Sequence, residues 1–509
     1  MGRRNDRSRA TALPALALAT LLAAPLPISA QTIQRMEYDD GAVYEGTFRN
    51  GLQHGQGSYS MPSGFRYEGE WIDGRIQGSG KATYPDGSIY EGQFTDGRPD
   101  GQGRITYASG GSYEGAWKDG AITGEGTARY ADGSVYEGRL TGAAHDGRGV
   151  LTMPSGYRYE GDWRNGIKEG QARITFPDGM IYEGGMVGGH YAGRGRLTMP
   201  DGRIYDGTWT AGAMTGRGTL TNPDSEETYE GGFVDGLRHG TGRLTMPDGA
   251  VYAGDFRADR REGRGRFTTP DGFSYDGDWL EGRATGQGRI TWPDGSAYEG
   301  AVTNMQPDGR GRITYPDGAW YEGDWAQGII AGQGHARHAD GMEYEGGFAD
   351  GKREGVGRMR LPGGYAYSGT WHAGRQHGEG QARFPDGATY DGQFVDGARQ
   401  GKGHLTAPDG FSYEGDWQAG EPHGHGVAVY PDGARYEGGF ATGKREGEGI
   451  MIYPSGQVEA GLWRADRFQR GGAQAGGPTP EPPSRSALPE DSAPDIFGKG
   501  AEGEADTLP

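Results

Sequence analysis

The chain has 509 residues, with 103 glycines, 28 prolines, no cysteine and a formal net charge of −19. It can build no disulfide framework and no thiolate metal site, and its acidity excludes a protein whose main task is to neutralise nucleic-acid phosphates. So much glycine and proline belongs either to a disordered chain or to one set of turns used many times.

The first 30 residues stand apart. Arg3, Arg4, Arg7 and Arg9 precede an apolar stretch from Leu13 to Ile28, and Ser29 and Ala30 supply small residues before Gln31. This is the layout of a secretory signal peptide over 1–30, with an apolar run short for a membrane span. The expected location is therefore outside the cytoplasm: a bacterial periplasm or cell exterior, that is, the cell envelope. The remainder, 31–509, carries −22.

From Tyr44 onward one 23-residue pattern repeats: Tyr-Glu-Gly-x-(Phe/Trp)-x-x-Gly-x-x-x-Gly-x-Gly, four β-type residues, then Pro-Asp-Gly and two more. Its tyrosines are Tyr44, Tyr67, Tyr90, Tyr113, Tyr136, Tyr159, Tyr182 and Tyr205. After a one-residue slip within 222–228 they continue from Tyr229 to Tyr436, and a worn nineteenth copy starts at Glu459. A period of this length means a linear array of small units, not a globular enzyme.

Residues 289–302 show what one unit does. Two β-rich runs flank Pro293-Asp294-Gly295, where Pro presets the first turn angle, Asp suits the second, and Gly takes the left-handed position. A three-residue loop of this kind closes a β-hairpin. Tyr, the Gly two residues on and the aromatic four residues on then share one face, and the Gly is a space-maker beneath stacked rings. On the other face the basic residue four before the Pro lies opposite the acid after Tyr, as in Arg104/Glu114, Arg289/Glu299 and Arg312/Glu322. The Gly-x-x-x-Gly-x-Gly segment is read simply as the link into the next hairpin. The expected fold is all-β: an elongated single-layer antiparallel array of about 19 β-hairpin repeats of 23 residues over 31–470.

The aromatic slot alternates. Trp71, Trp117, Trp163 and Trp209, then Trp279, Trp325, Trp371, Trp417 and Trp463, alternate with smaller residues such as Phe48, Leu140, Val302 and Phe394. This is a 46-residue super-period with a phase break between 209 and 279, so a seam near 222–256 is expected as a bend or as the least stable interface. The last 39 residues, 471–509, hold seven acids, two bases and few core-forming residues; a disordered acidic Pro/Gly-rich tail is expected there.

The recurrence of Tyr-Glu-Gly-x-(Phe/Trp) with Gly-x-Gly and Pro-Asp-Gly over roughly 35–463 resembles the MORN (membrane occupation and recognition nexus) repeat. Departures are mild: Ala253, Ser368 and Ala460 break the Glu-Gly neighbourhood, and the repeats at 136, 252 and 298 lack the Gly seven after Tyr. The resemblance implies a single-layer sheet of hairpins used as a scaffold, dimerisation rod or membrane-proximal tether. Some family members carry a catalytic domain beside the repeats; nothing in this chain is left over to be one.

Candidate chemistry is sparse. Gly346–Lys352 and Gly438–Lys444 read Gly-x-x-x-x-Gly-Lys, but Arg353 and Arg445 follow where a phosphate loop needs Ser or Thr and a helix. His54, His239, His377 and His423 share one repeat position, and His423/His425 and His335/His338 form loose pairs without a third ligand at metal spacing. Arg261, Arg353, Arg399 and Arg445 share another position, with Lys352 and Lys444 beside them, and are read as basic loops lining one edge. The ring face is read as core packing, with glycan stacking as the competing use. The reading is therefore a non-enzymatic scaffold or protein-interaction platform, without cofactor or metal, for a protein partner or a second copy of itself. The alternative is a tether to anionic lipid or envelope polysaccharide through those basic loops.

Overall fold

In a computed structural model of the chain, residues 32–470 are described; the signal peptide expected at 1–30 and the tail expected at 471–509 fall outside them. Every regular element among the described residues is a β-strand, and the paired neighbours run antiparallel. The chain divides into two compact units, 1–190 and 191–509. The first holds strands Gln34–Glu37 to Ile181–Val187; strands from His190–Thr198 to Arg467–Phe468 follow. Both use the same repeat, and the all-β antiparallel hairpin array read from the sequence is the observed architecture.

Each repeat contributes two hairpins, because it contains two kinds of turn. Between Arg283–Thr291 and Ala297–Thr303, Trp292 N–H donates to the Ser296 carbonyl at 2.9 Å and Gly295 N–H to the Trp292 carbonyl at 2.9 Å, which closes the three-residue Pro-Asp-Gly loop. Asp294 clamps it by accepting from the Ser296 N–H at 2.8 Å. The register is the expected one: Arg289 faces Glu299 and Ile290 faces Tyr298. The second turn was read only as a link, yet it is a full hairpin. In the first repeat, Asn50 and Gly51 both have positive φ (50° and 78°) between paired Arg49 and Leu52. Two consecutive left-handed residues make the two-residue turn whose twist matches that of its strands. Two further residues bulge out of the ladder in the returning strand, between Gly57, opposite Gly46, and Gln53, opposite Phe48. Gly55, with φ 81°, lies in that bulge.

The core is a ring ladder laid on glycine. Gly46 pairs with Gly57, and Gly57 pairs with Gly69 on its other side, so glycine follows glycine across neighbouring strands. The Tyr44 ring lies flat over this row. Its hydroxyl donates back to the Thr47 carbonyl at 3.0 Å, and a Cβ on Gly57 would stand 2.5 Å from ring carbons. Tyr44 then meets Phe48 of its own repeat and Trp71 of the next edge to face, both at 5.1 Å between centroids. The same pattern recurs at Tyr67 with Trp71 and Phe94, and at Tyr90 with Phe94 and Trp117. Tyr44, Tyr67 and Tyr90 are fully buried.

The slip at 222–228 is absorbed locally. Strands Ala213–Asn222 and Glu227–Val234 stay in register from Gly216/Phe233 to Asn222/Glu227, and the turn between them lengthens, with Glu226 at φ 59°. Pairing is continuous through the phase break.

Two substitutions weigh these devices. Gly311→Ala drives a Cβ into the Tyr298 ring and hydroxyl and should destabilise by about 2–3 kcal/mol through overpacking. Met305→Gly removes a side chain held at φ 61° and should stabilise by about 1 kcal/mol. Hydrogen-exchange protection within 298–320 should fall in the first and rise in the second.

Candidate functional site

The position nine residues after each Tyr governs what the ring face can do. It lies directly across the ladder from the aromatic slot, as in the pairs Trp71/Ile76, Phe94/Pro99, Trp325/Ile330 and Phe348/Arg353. Arg261, Arg353, Arg399 and Arg445 all occupy it. They are not solvated loop groups. Arg353, Arg399 and Arg445 are 5%, 2% and 6% exposed, and Arg261 is half-buried, because each pairs across the two-residue turn with the aromatic four residues after Tyr and so shares its ring face.

Each guanidinium lies over the Trp of the following repeat: Arg261 over Trp279 at 4.6 Å, Arg353 over Trp371 at 4.5 Å, Arg399 over Trp417 at 4.8 Å and Arg445 over Trp463 at 4.5 Å. Arg353 and Arg399 also donate to the carbonyls of Gly374 and Gly420 at 2.8 and 2.9 Å, and Arg445 pairs with Asp466 at 3.1 Å. Burial lowers the Arg261 pKa. These cations fill the space left by a Phe in the slot opposite and stack on the next Trp. The neighbouring Lys352 and Lys444 point the other way and are exposed.

The remaining expectations sort similarly. Trp71, Trp117, Trp209, Trp279, Trp325, Trp371, Trp417 and Trp463 each donate an indole N–H to a glycine carbonyl at 3.0–3.3 Å. Trp163 is buried without such an acceptor; His145, stacked on Tyr136 at 3.7 Å, stands 4.6 Å from its ring. Burial depresses the His145 pKa. These Trp rings and the Tyr rings beneath them are buried, so no sugar face reaches them. Gly346–Lys352 is the end of a strand plus a two-residue turn, with Asp350 and Gly351 at φ 48° and 74°, and a strand follows rather than a helix. His54 and His377 lie on the outer face near Asp73 and Asp396, and no cluster able to hold a metal occurs among the described residues.

The outer face carries the expected ion pairs, Arg289–Glu299 at 2.8 Å and Arg312–Glu322 at 3.5 Å. They are half exposed and contribute about 0.2–1 kcal/mol each. What sequence reasoning missed lies at the edge formed by the two-residue turns. The residues five and eight after Tyr flank every such turn on the outer face. Ile72, Val187, Val234, Leu237, Leu280 and Ile329 stand there with exposures of 44–61%. Arg75, Arg257, Arg260, Arg283, Lys352 and Lys444 occupy the same slots, and among the described residues Glu421 is their one carboxylate. Reading those two columns down the repeats would have found it.

The MORN repeat family model matches seventeen segments: 44–66, 67–89, 90–112, 113–135, 159–181, 182–202, 205–226, 229–251, 252–273, 275–297, 298–320, 321–343, 344–364, 367–389, 390–411, 413–435 and 436–458. The stretch passed over, 136–158, is the repeat with Leu140 in the aromatic slot, Ala143 at φ 65° and His145 against the rings. No curated protein matches the chain. Among solved structures, the TCP domain of SAS-4 from Drosophila melanogaster, solved with a proline-rich motif of Ana2, is 14% identical at a TM-score of 0.19, over 39% of this chain and 90% of that one. The wild-type TCP10 domain of Danio rerio CPAP is 18% identical at a TM-score of 0.17, over 51% and 95%. Scores this low carry no argument.

Burial sets the response to alkali. It raises the phenol pKa of Tyr67, Tyr90, Tyr205, Tyr275 and Tyr298 to about 12. The fold favours the neutral phenol, so its stability is intact below the unfolded value near 10 and is lost as pH rises through 12. Circular dichroism should show steep unfolding in that window, with the phenolate absorbance rising alongside it. Separately, Arg399→Ala should cost about 2–4 kcal/mol through the cavity it leaves. Arg399→Gln should cost less than Arg399→Ala, because Gln53 fills the same slot opposite Phe48; urea midpoints compare the two.

Proposed function

Because the chain belongs to the MORN repeat family, we propose that it is a non-enzymatic scaffold that holds a protein partner in the cell envelope. The observation that carries this reading is the turn edge. Apolar side chains such as Val234, Leu237 and Leu280 are exposed there beside arginines and lysines, some of which pair with carboxylates of the turns, as Arg75 does with Asp96 and Arg260 with Glu281. Apolar anchors beside arginine are what protein interfaces enrich. The ring face is consumed by its own packing, which leaves the outer face and this edge for recognition. The envelope location rests on the leader at 1–30.

The test uses the full chain expressed in its own cells. Cross-linking followed by quantitative mass spectrometry compares the parent with Val234→Glu/Leu237→Glu/Leu280→Glu. Recovery of the partner should fall about tenfold or more, in line with the loss of a few apolar anchors, while thermal unfolding is unchanged. Equal recovery from both chains would sink the turn-edge reading, and a chain found wholly in the cytoplasm with its leader uncut would sink the envelope part.

A further inference from the structure

Three consecutive repeats depart from the pattern on the outer face. The slot sixteen residues after Tyr is Thr in most repeats, including Thr83, Thr106, Thr268, Thr291 and Thr314, but it is Arg337, Arg360 and Arg383 in succession. In the same stretch both acidic slots are vacated: Ser368 stands where the repeat has Glu, and Gly363 where the turn has Asp. The pairing gathers these departures. Arg358 lies opposite Ser368, while Arg360 and Arg383 flank Ala366 on its two sides. Across strands Lys352–Arg360, Ala366–His372 and Arg375–Arg383 these two rows therefore hold three exposed arginines and no carboxylate. The acids at the margins are Glu343, which lies opposite Arg360 and pairs with Arg337 at 4.0 Å, Glu345 opposite Arg358, and Asp391 opposite Gln381; only Arg383 faces no acid across the ladder. Among the described residues no ion pair joins Arg358, Arg360 or Arg383 to a carboxylate.

We infer that this patch receives the chain's own acidic tail, through Glu502, Glu504 and Asp506. The charges are complementary: 471–509 carries seven acids and two bases, and these three fall at alternate positions of the sequence. The reach also suffices. Seven strand steps separate Arg375–Arg383 from Val458–Arg464, about 34 Å at the usual spacing. The 32–36 residues between Arg470 and the acids can span at most about 105–130 Å, so the tether is long enough to reach. The contact is electrostatic and exposed, so it exchanges readily and gives way to salt or to a stronger polyanion. It would cover a basic patch that otherwise attracts anions nonspecifically.

Because the chain has no cysteine, Ala505→Cys and Thr406→Cys place one dye on the tail and one beside the patch in the otherwise intact chain, and energy transfer reports their approach. Transfer should fall about twofold between about 0.01 M and 1 M salt, as the screening length drops from about 30 Å to about 3 Å. It should fall equally at low salt in Arg358→Gln/Arg360→Gln/Arg383→Gln, and remain high in Arg217→Gln/Arg243→Gln/Arg266→Gln, which removes the same charge elsewhere on the outer face. Glu502→Lys/Glu504→Lys/Asp506→Lys should lose transfer, and joining it to Arg358→Glu/Arg360→Glu/Arg383→Glu should restore it. Transfer that ignores salt and both arginine triples would overturn the inference. So would transfer that grows with protein concentration, which would assign the tail to a second copy.

Discussion

Everything in this molecule hangs on a tyrosine ring lying flat on a pair of glycines. The ring can take that position only because two neighbouring strands both lack a Cβ beneath it, as Gly46 and Gly57 do under Tyr44. Once there, the hydroxyl has no route to water and satisfies itself on the backbone three residues on. The ring edges are left to meet one aromatic of the same repeat and one of the next. A sheet with a single core-forming face has no second layer to bury that face against; here each repeat buries the rings of its neighbour. Stability is therefore passed from unit to unit.

The same constraint decides where recognition can occur. With the ring face filled, a charged residue on it serves packing, and the buried arginines on Trp371, Trp417 and Trp463 are examples. The fold does not need a particular residue at that position, since Ile, Pro, Gln, Lys and Arg all occur there. It needs volume matched to the ring opposite. The outer face is under no such restriction. Its side chains must only avoid like charges across the ladder, so departures there, such as Ser368 or the run Arg337, Arg360, Arg383, are free to reflect selection for something other than folding.

Much of this was legible in the residues. The Pro-Asp-Gly loop has one good geometry, and from it the pairing of Arg289 with Glu299 and of Ile290 with Tyr298 followed, as did the space-making role of glycine. The second turn was written there as well but went unread. Its positions are Asn50-Gly51, Asp73-Gly74, Asp96-Gly97 and Asp350-Gly351, the pairs that favour a two-residue hairpin turn, and Gly142-Ala143, Ala258-Asp259 and Asn304-Met305 in other repeats dilute that signal. Arg353, Arg399 and Arg445 were misplaced for a related reason. Two residues bulge out of the returning strand near the middle glycine, and without knowing where the ladder breaks one cannot tell that the ninth residue still faces the rings. Lys352 and Lys444, one residue earlier, are exposed on the outer face.

The alternation of Trp with smaller residues in the aromatic slot has a bearing on how such a chain changes length. A Trp fits against the residue that follows a Phe-type repeat, so the unit that can be copied or lost without repacking is a pair of repeats, 46 residues, not one. Unequal crossing-over by a single repeat would set two like rings in succession. The chain preserves one such event: Phe233 is followed by Phe256 with no Trp between them, and Arg238 lies across the join, 5.6 Å from the Phe256 ring and 3.1 Å from Asp259. Rearrangement by pairs of repeats thus keeps each large ring beside a smaller one, whereas an odd-numbered change sets two rings of like size against each other.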